Sequence, residues 1–326
     1  MQTELDTIAE VEQEQRTEET LAAPVGLGEQ LRDLILALRP HHWIKNGFVL
    51  LPILFAGKLL IPSFLIDALL TVVAFCLMSS GMYLLNDTMD KTVDRQHPRK
   101  RYRPIASGRV SSKLAIGLAT ILLMAGLLIG FLCQPWVGVV LMMYGGVQTA
   151  YCLFLKRVVI LDVLTIATGF LLRVVAGAVV SGLAPSHWIL LTSFLLALFL
   201  GFSKRRGELV LVNATKGIGR QVLTQYTRSF LDQVLTMLAG TVILCYSLYT
   251  VSESTVGHFG TTALMWTIPF VIYGILRYLY LIHTENGQKI DSPTVLLLTD
   301  KSLWVCILLW GLVCFGIVYA NFFRGG

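Results

Sequence analysis

Charge is scarce in this chain. Charged residues make up 14% of its 326 positions, against 55% hydrophobic, where a soluble domain carries roughly 25% charged residues. That scarcity excludes an ordinary soluble domain, and repeated runs of about 20 apolar residues identify a polytopic membrane protein. Cys-x-x-Cys pairs are absent. The six cysteines, Cys76, Cys133, Cys152, Cys245, Cys306 and Cys314, all fall inside or at the edges of the apolar runs. They read as small buried apolar residues rather than a metal cage or redox pair. The six histidines show no ligand spacing. The first 30 residues lack the basic start and apolar core of a signal peptide. They hold eight acidic residues and one arginine, and are expected to be a disordered acidic cytoplasmic tail, with 31–326 as one transmembrane domain.

Nine spans are predicted, near 43–60, 64–86, 113–133, 136–155, 159–182, 187–203, 231–250, 262–282 and 302–322, giving an all-α membrane helical bundle. A short amphipathic helix over 29–40, with Leu31, Leu34, Ile35 and Leu38 on one side, is expected to lie on the membrane before them. The segments after spans two, four, six and eight contain 18 Lys/Arg, whereas those after the odd-numbered spans contain only Lys58 and Arg324. By the positive-inside rule the N-terminus and basic loops face the cytoplasm. Charged loops open at Asn86 and at Lys204, a weak internal repeat. It divides the chain into two four-helix halves plus a ninth helix, with both loops at one end of the bundle.

What charge there is gathers in a few places. Asp87, Asp90 and Asp94 are spaced three and then four apart, so a continuing helix would put all three on one face. Aspartate is a poor helix-interior residue, and three on one face repel unless cations offset them. They are candidate Mg²⁺ ligands, because Mg²⁺ takes one or two carboxylates plus waters and substrate phosphate oxygens. Asn86 adds a neutral oxygen. Arg95, Arg99, Lys100, Arg101 and Arg103 follow at once; part of this charge serves topology, while Arg101 and Arg103 are candidates for phosphate contact. Carboxylates beside such cations suggest a diphosphate site.

The second charged loop, Lys204-Arg205-Arg206-Gly207-Glu208, sets one carboxylate among three cations. Lys45 and Asn46 stand at the entry of the first span, where Lys45 either snorkels or touches a ligand. Arg173 lies deep in an apolar run and is expected to face an anion or to pair with Asp162. Tyr151 and Lys156 form a polar tip at the end of span four.

The pattern Asn86-Asp87-x-x-Asp90-x-x-x-Asp94 after the second span resembles the first aspartate-rich motif of the UbiA superfamily of intramembrane prenyltransferases. The resemblance implies a Mg²⁺-bound diphosphate at the cytoplasmic mouth of a helical bundle, with a lipid chain running into the membrane. Most members carry a second aspartate-rich motif after span six. Here that loop has Glu208, and no aspartate occurs between Asp162 and Asp232. Three further stretches, Arg39-Pro-x-x-Trp43-x-Lys45-Asn46, His97-Pro-x-Lys-Arg-Tyr-Arg-Pro-Ile-Ala and Lys204-Arg205-x-x-Glu208, are similar to the branch that joins phosphoribosyl pyrophosphate to a polyprenyl phosphate and releases diphosphate. The acidic loop motif of soluble phosphoribosyltransferases is absent.

That branch implies a Mg²⁺-dependent transferase of the plasma membrane, serving lipid-linked arabinofuranose and cell-envelope glycan synthesis. Asp87, Asp90 and Asp94 would hold the metal. Lys45, Asn46, Asn86, Arg101, Arg103, Tyr151, Lys156, Arg173, Lys204, Arg205 and Glu208 would contact substrate. An acceptor phosphate is already anionic at neutral pH, so no strong general base is needed, and the sequence offers none. The expected partners are phosphoribosyl pyrophosphate, a polyprenyl phosphate and the bilayer, with no nucleic acid; a homo-oligomer stays open. The alternatives are an aromatic prenyltransferase of quinone or haem synthesis, and a lipid-phosphate transporter, which would favour ionisable residues near the midplane.

Overall fold

The computed structural model describes residues 27–96, 100–182, 186–215, 221–284, 296 and 299–324. The acidic tail through residue 26, and His97, Pro98 and Arg99 of the basic run, lie outside the described residues. All regular structure among them is helical. In chain order the helices are α1 (Leu27–Leu38), α2 (Leu50–Phe55), α3 (Pro62–Met89), α4 (Lys91–Gln96), α5 (Ser112–Cys133), α6 (Pro135–Leu153), α7 (Leu161–Ser181), α8 (His187–Thr215), α9 (Arg228–Val251), α10 (Glu253–Phe259), α11 (Ile268–His283) and α12 (Lys301–Arg324), with a 3₁₀ stretch over Pro40–Val49.

Eight helices among the described residues are long and apolar enough to cross a membrane. Their outward faces are apolar, as lipid requires: in α5, Ile121, Met124, Leu128 and Leu132 are all exposed. The expected count of nine is not reached, because the segment predicted as the first span is not one continuous helix. It runs as the 3₁₀ stretch Pro40–Val49 and then the six-residue α2. Pro52 has no N–H for the Phe48 carbonyl and its ring crowds that oxygen, so an α-helical ladder cannot run through both. Gly57, at φ +67°, stands two residues past the end of α2.

The chain divides into two compact units, Met1–Trp43 with Ser79–Met124, and Ile44–Met78 with Ala125–Gly326. In the first, Ala37, Leu84, Ile105, Val110, Ala115 and Ala119 form the core, with Leu34 and Leu38 packed against it. The predicted amphipathic helix is present as α1, but its faces divide differently. Leu31 and Ile35 are exposed, whereas Leu34 and Leu38 turn inward with Ala37, and the buried Asp33 accepts from Arg109 Nε at 2.9 Å. Gly81 lets α3 approach α5: a Cβ there would stand 2.9 Å from Leu123 Cγ.

In the second unit α7 is the central helix and packs on α6, α8 and α2; α8 packs on α9, α9 on α11, and α11 on α12. Val163, Ala167, Phe199, Phe202, Leu231, Leu235 and Tyr278 are among the residues of its main core. The approach of α7 to the Ile44–Phe55 segment depends on Gly177, where an added Cβ would lie 2.0 Å from the Val49 carbonyl oxygen. Only a hydrogen fits.

Candidate active site

The aspartate-bearing stretch begins at the C-terminal end of α3. Asp90 interrupts the helix between α3 and α4, yet the i to i+4 pattern persists through it: Asp90 N donates to Asn86 O at 2.9 Å and Asp94 N to Asp90 O at 2.8 Å. Asp87 and Asp94 are therefore nearly two turns apart on one side, and both are only 3% exposed. Arg103 bridges them. Its Nη1 donates to Asp94 Oδ2 at 2.6 Å and to Asp87 Oδ1 at 3.1 Å, and Lys100 Nζ stands 4.0 Å from the other oxygen of Asp94. From the opposite end of the unit's sequence, Arg39 Nη2 contacts both oxygens of Asp87 at 2.6 Å. Burial and the neighbouring Arg39 charge push the Arg103 guanidinium below its ordinary range, and the two aspartates pull it back.

Two buried carboxylates thus converge on one cationic nitrogen. A donor set of this kind suits a cation held between them, and a bound Mg²⁺ fits the chemistry of Asp87 and Asp94. Among the described residues no three Asp, Glu, His or Cys side chains are grouped closely enough to hold a metal. The expected trio is therefore brought together only as the pair Asp87 and Asp94, with Asp90 half-buried at the helix break. Arg101 is exposed and turned onto Tyr102, its Nη2 2.7 Å from that hydroxyl, and does not join the aspartates.

The second unit carries a parallel arrangement. Arg205 has no exposed surface; its Nε donates to Asp162 Oδ2 at 2.5 Å, its Nη1 to Glu208 Oε2 at 2.6 Å, and its Nη2 reaches the Tyr151 hydroxyl at 3.4 Å. Lys204 Nζ is 3.9 Å from Glu208 Oε1. Once more one guanidinium joins two carboxylates while a lysine stands at the outer one. Arg205 is thus committed to protein partners, and Lys204 and Glu208 are the partly exposed members of a stretch that is not the expected loop but a continuation of α8. Arg206, also buried, donates to Asp232 and to the Ile282 carbonyl. Lys156 is half-buried in the 3₁₀ turn after α6.

Two non-glycine residues among those described have positive φ, Arg39 (55°) and Ile160 (70°), and each adjoins one of these clusters. A β-branched residue at φ 70°, ψ −49°, with Leu161 N donating to Val159 O at 2.8 Å, forms a strained γ-turn. Such a conformation costs on the order of 1–3 kcal/mol, which surrounding structure must offset.

Arg173 does not pair with Asp162, whose carboxylate is taken by Arg205. Arg173 instead lies buried in α7 with its Nε 2.7 Å from Asn46 Oδ1, Nη1 2.7 Å from Gly169 O and Nη2 3.2 Å from the Tyr144 hydroxyl. The faces of Phe75, Tyr144 and Phe170 surround its guanidinium within 5.5 Å. Asn46 Nδ2 in turn donates to Cys76 Sγ at 3.1 Å. These two expected ligand contacts are engaged with each other, tying the Ile44–Phe55 segment to α7. Lys45 is half-buried beside them in sequence.

Arg39, Asp162 and Tyr226 are further members of these clusters, beyond the expected site residues. A signal existed for two of them: Arg39 opens the Arg-Pro-x-x-Trp stretch, and Asp162 is a lone carboxylate at the head of an apolar run. Tyr226 carries no local signal.

Residues 48–299 match the model of the UbiA prenyltransferase family. The chain is 36% identical to the decaprenyl-phosphate phosphoribosyltransferase of Corynebacterium glutamicum, over 85% of this chain and 84% of the relative. It is 37% identical to the enzyme of the same name from Mycolicibacterium smegmatis, over 85% and 89%. A UbiA homolog from Archaeoglobus fulgidus, solved bound to GPP and Mg²⁺, superposes with a TM-score of 0.67 at 16% identity, covering 88% of this chain and 99% of that one, a likeness of fold. With its membrane-spanning helices and its family match over most of its length, the chain is a multi-pass membrane transferase and belongs to the UbiA prenyltransferase family.

Proposed function

We propose that this enzyme transfers the 5-phosphoribosyl group of phosphoribosyl pyrophosphate to a decaprenyl-type polyprenyl phosphate, releasing diphosphate. The observation that carries the reading is the second charged cluster. Where a further aspartate-rich motif would serve an isoprenyl diphosphate, the chain has Glu208 held by Arg205 and Lys204, with the buried Asp162 anchoring Arg205. The relatives from Corynebacterium and Mycolicibacterium, named for this reaction and alike over most of both chains, support it.

In this account Asp87 and Asp94 would hold a Mg²⁺ ion. When bound, the ion neutralises charge that builds on the departing diphosphate. Arg103, paired with both carboxylates, and Arg39, paired with Asp87, would supply guanidinium donors for phosphate oxygens. In the second unit, Lys204 and Lys45 are the candidates for binding anionic substrate groups, and Glu208 for accepting hydrogen bonds from ribose hydroxyls. The acceptor phosphate attacks ribose C1 as an anion, so alignment and charge stabilisation do the catalytic work. The basic loops and the N-terminus face the cytoplasm across the plasma membrane, in keeping with the lysine and arginine bias.

Purified protein supplied with Mg²⁺, labelled phosphoribosyl pyrophosphate and decaprenyl phosphate is expected to move label into the organic phase. Absence of lipid-linked label, with the protein folded, would overturn the reading.

A further inference from the structure

We propose that Tyr226 is a positioning residue for Glu208, acting through Asp162 and Arg205. Its role for the donor rests on the function proposed above. The Tyr226 hydroxyl accepts from Ile160 N at 2.7 Å and donates to Asp162 Oδ1 at 2.7 Å. The other oxygen of Asp162 receives Arg205 Nε at 2.5 Å, and Arg205 Nη1 ends the relay on Glu208 Oε2 at 2.6 Å. Asp162 and Arg205 have no exposed surface, and Tyr226 is 4% exposed, so the chain of bonds is closed to water up to Glu208. A buried network of this kind either holds every member or fails as a unit.

The backbone supports the same assignment. The γ-turn at Ile160 leaves that amide pointing away from any helical carbonyl, and the Tyr226 oxygen is its partner. One hydroxyl therefore satisfies the strained turn and fixes the carboxylate two residues later. The tyrosine ring is itself locked, edge-on to Phe202 and stacked on Phe230. Burial and the bond to Asp162 hold the Tyr226 hydroxyl above its ordinary range, so it stays a donor throughout the neutral range.

Tyr226→Phe keeps the ring and removes only the hydroxyl. With Glu208 as the end of the relay, kcat/KM for phosphoribosyl pyrophosphate is expected to fall about tenfold, while KM for the polyprenyl phosphate stays within about twofold. In a Glu208→Gln background the same change is expected to cost less than about twofold, because the group it positions is already altered. Amide exchange supplies a readout independent of turnover: Tyr226→Phe is expected to lose protection over 158–164 and also over 204–210. If the wild type transfers no phosphoribosyl group, the functional reading fails, and exchange alone decides the role of Tyr226. Should Tyr226→Phe not fold, Asp162→Asn interrupts the same relay with the ring in place, and the same donor defect and exchange pattern are expected. Equal costs in both backgrounds, or protection lost only over 158–164, would overturn the proposal.

Discussion

Arg39 Nη2 lies 2.6 Å from both carboxylate oxygens of Asp87, so the residue that follows α1 is clamped to the last turn of α3. The arginine adopts positive φ to do so, and its guanidinium also covers the Tyr83 ring at 4.9 Å. Arg39→Ala leaves the buried Asp87 carboxylate to Arg103, 3.1 Å away. A loss of about 2–4 kcal/mol is expected, from removal of one member of a buried ion pair. Thermal unfolding in detergent checks this, and an unchanged midpoint contradicts it.

Asp87 and Asp94 are expected to share one cation. In Asp87→Asn and Asp94→Asn, turnover is expected to fall by at least about a hundredfold, because each substitution removes charge from a site that acts electrostatically. Mg²⁺ is expected to raise the unfolding temperature of the wild type and to leave both variants unmoved, since a ligand stabilises only the state that binds it. Equal Mg²⁺ stabilisation of all three proteins would show that the ion binds elsewhere.

The membrane helices and the aspartate stretch were legible in the sequence because both are local. A run of apolar residues declares a span, and spacings of three and four declare a helix face. The 40–55 segment defeated that logic: its composition reads as a span, but Pro52 prevents a continuous helix. Partner choice was not legible either. Asp162 and Arg205 are 43 positions apart, and Arg173 and Asn46 are 127 apart. Nothing local says that Asp162 belongs to Arg205 rather than to Arg173, eleven residues along its own helix. Packing of α7 against α8 makes that choice.

Arg173 is held by neutral oxygens and aromatic faces. Asn46→Ala removes the acceptor of Nε inside the protein, where water cannot replace it. A destabilisation of about 1–3 kcal/mol is expected. Arg173→Lys is expected to be destabilising as well, because an ammonium cannot span Asn46, Gly169 and Tyr144 together. Denaturant unfolding of the detergent-solubilised protein measures both, and a neutral Arg173→Lys would contradict the clamp described above.

Gly177 faces the Val49 carbonyl. Gly177→Ala is expected to push the Ile44–Phe55 segment off α7, at a cost of about 1–3 kcal/mol from overpacking. Gly146, which has open space where a Cβ would stand, is the control: Gly146→Ala is expected to be neutral or stabilising. Equal effects of the two substitutions on the unfolding midpoint would contradict the close approach.

The central claim concerns which donor the site accepts. Diphosphate release can be followed in one preparation with two substrate pairs: phosphoribosyl pyrophosphate with decaprenyl phosphate, and an isoprenyl diphosphate with an aromatic acid. The account expects release from the first pair alone, dependent on the lipid phosphate and abolished in Asp94→Asn. Release from the isoprenyl diphosphate, with none from phosphoribosyl pyrophosphate, would contradict it.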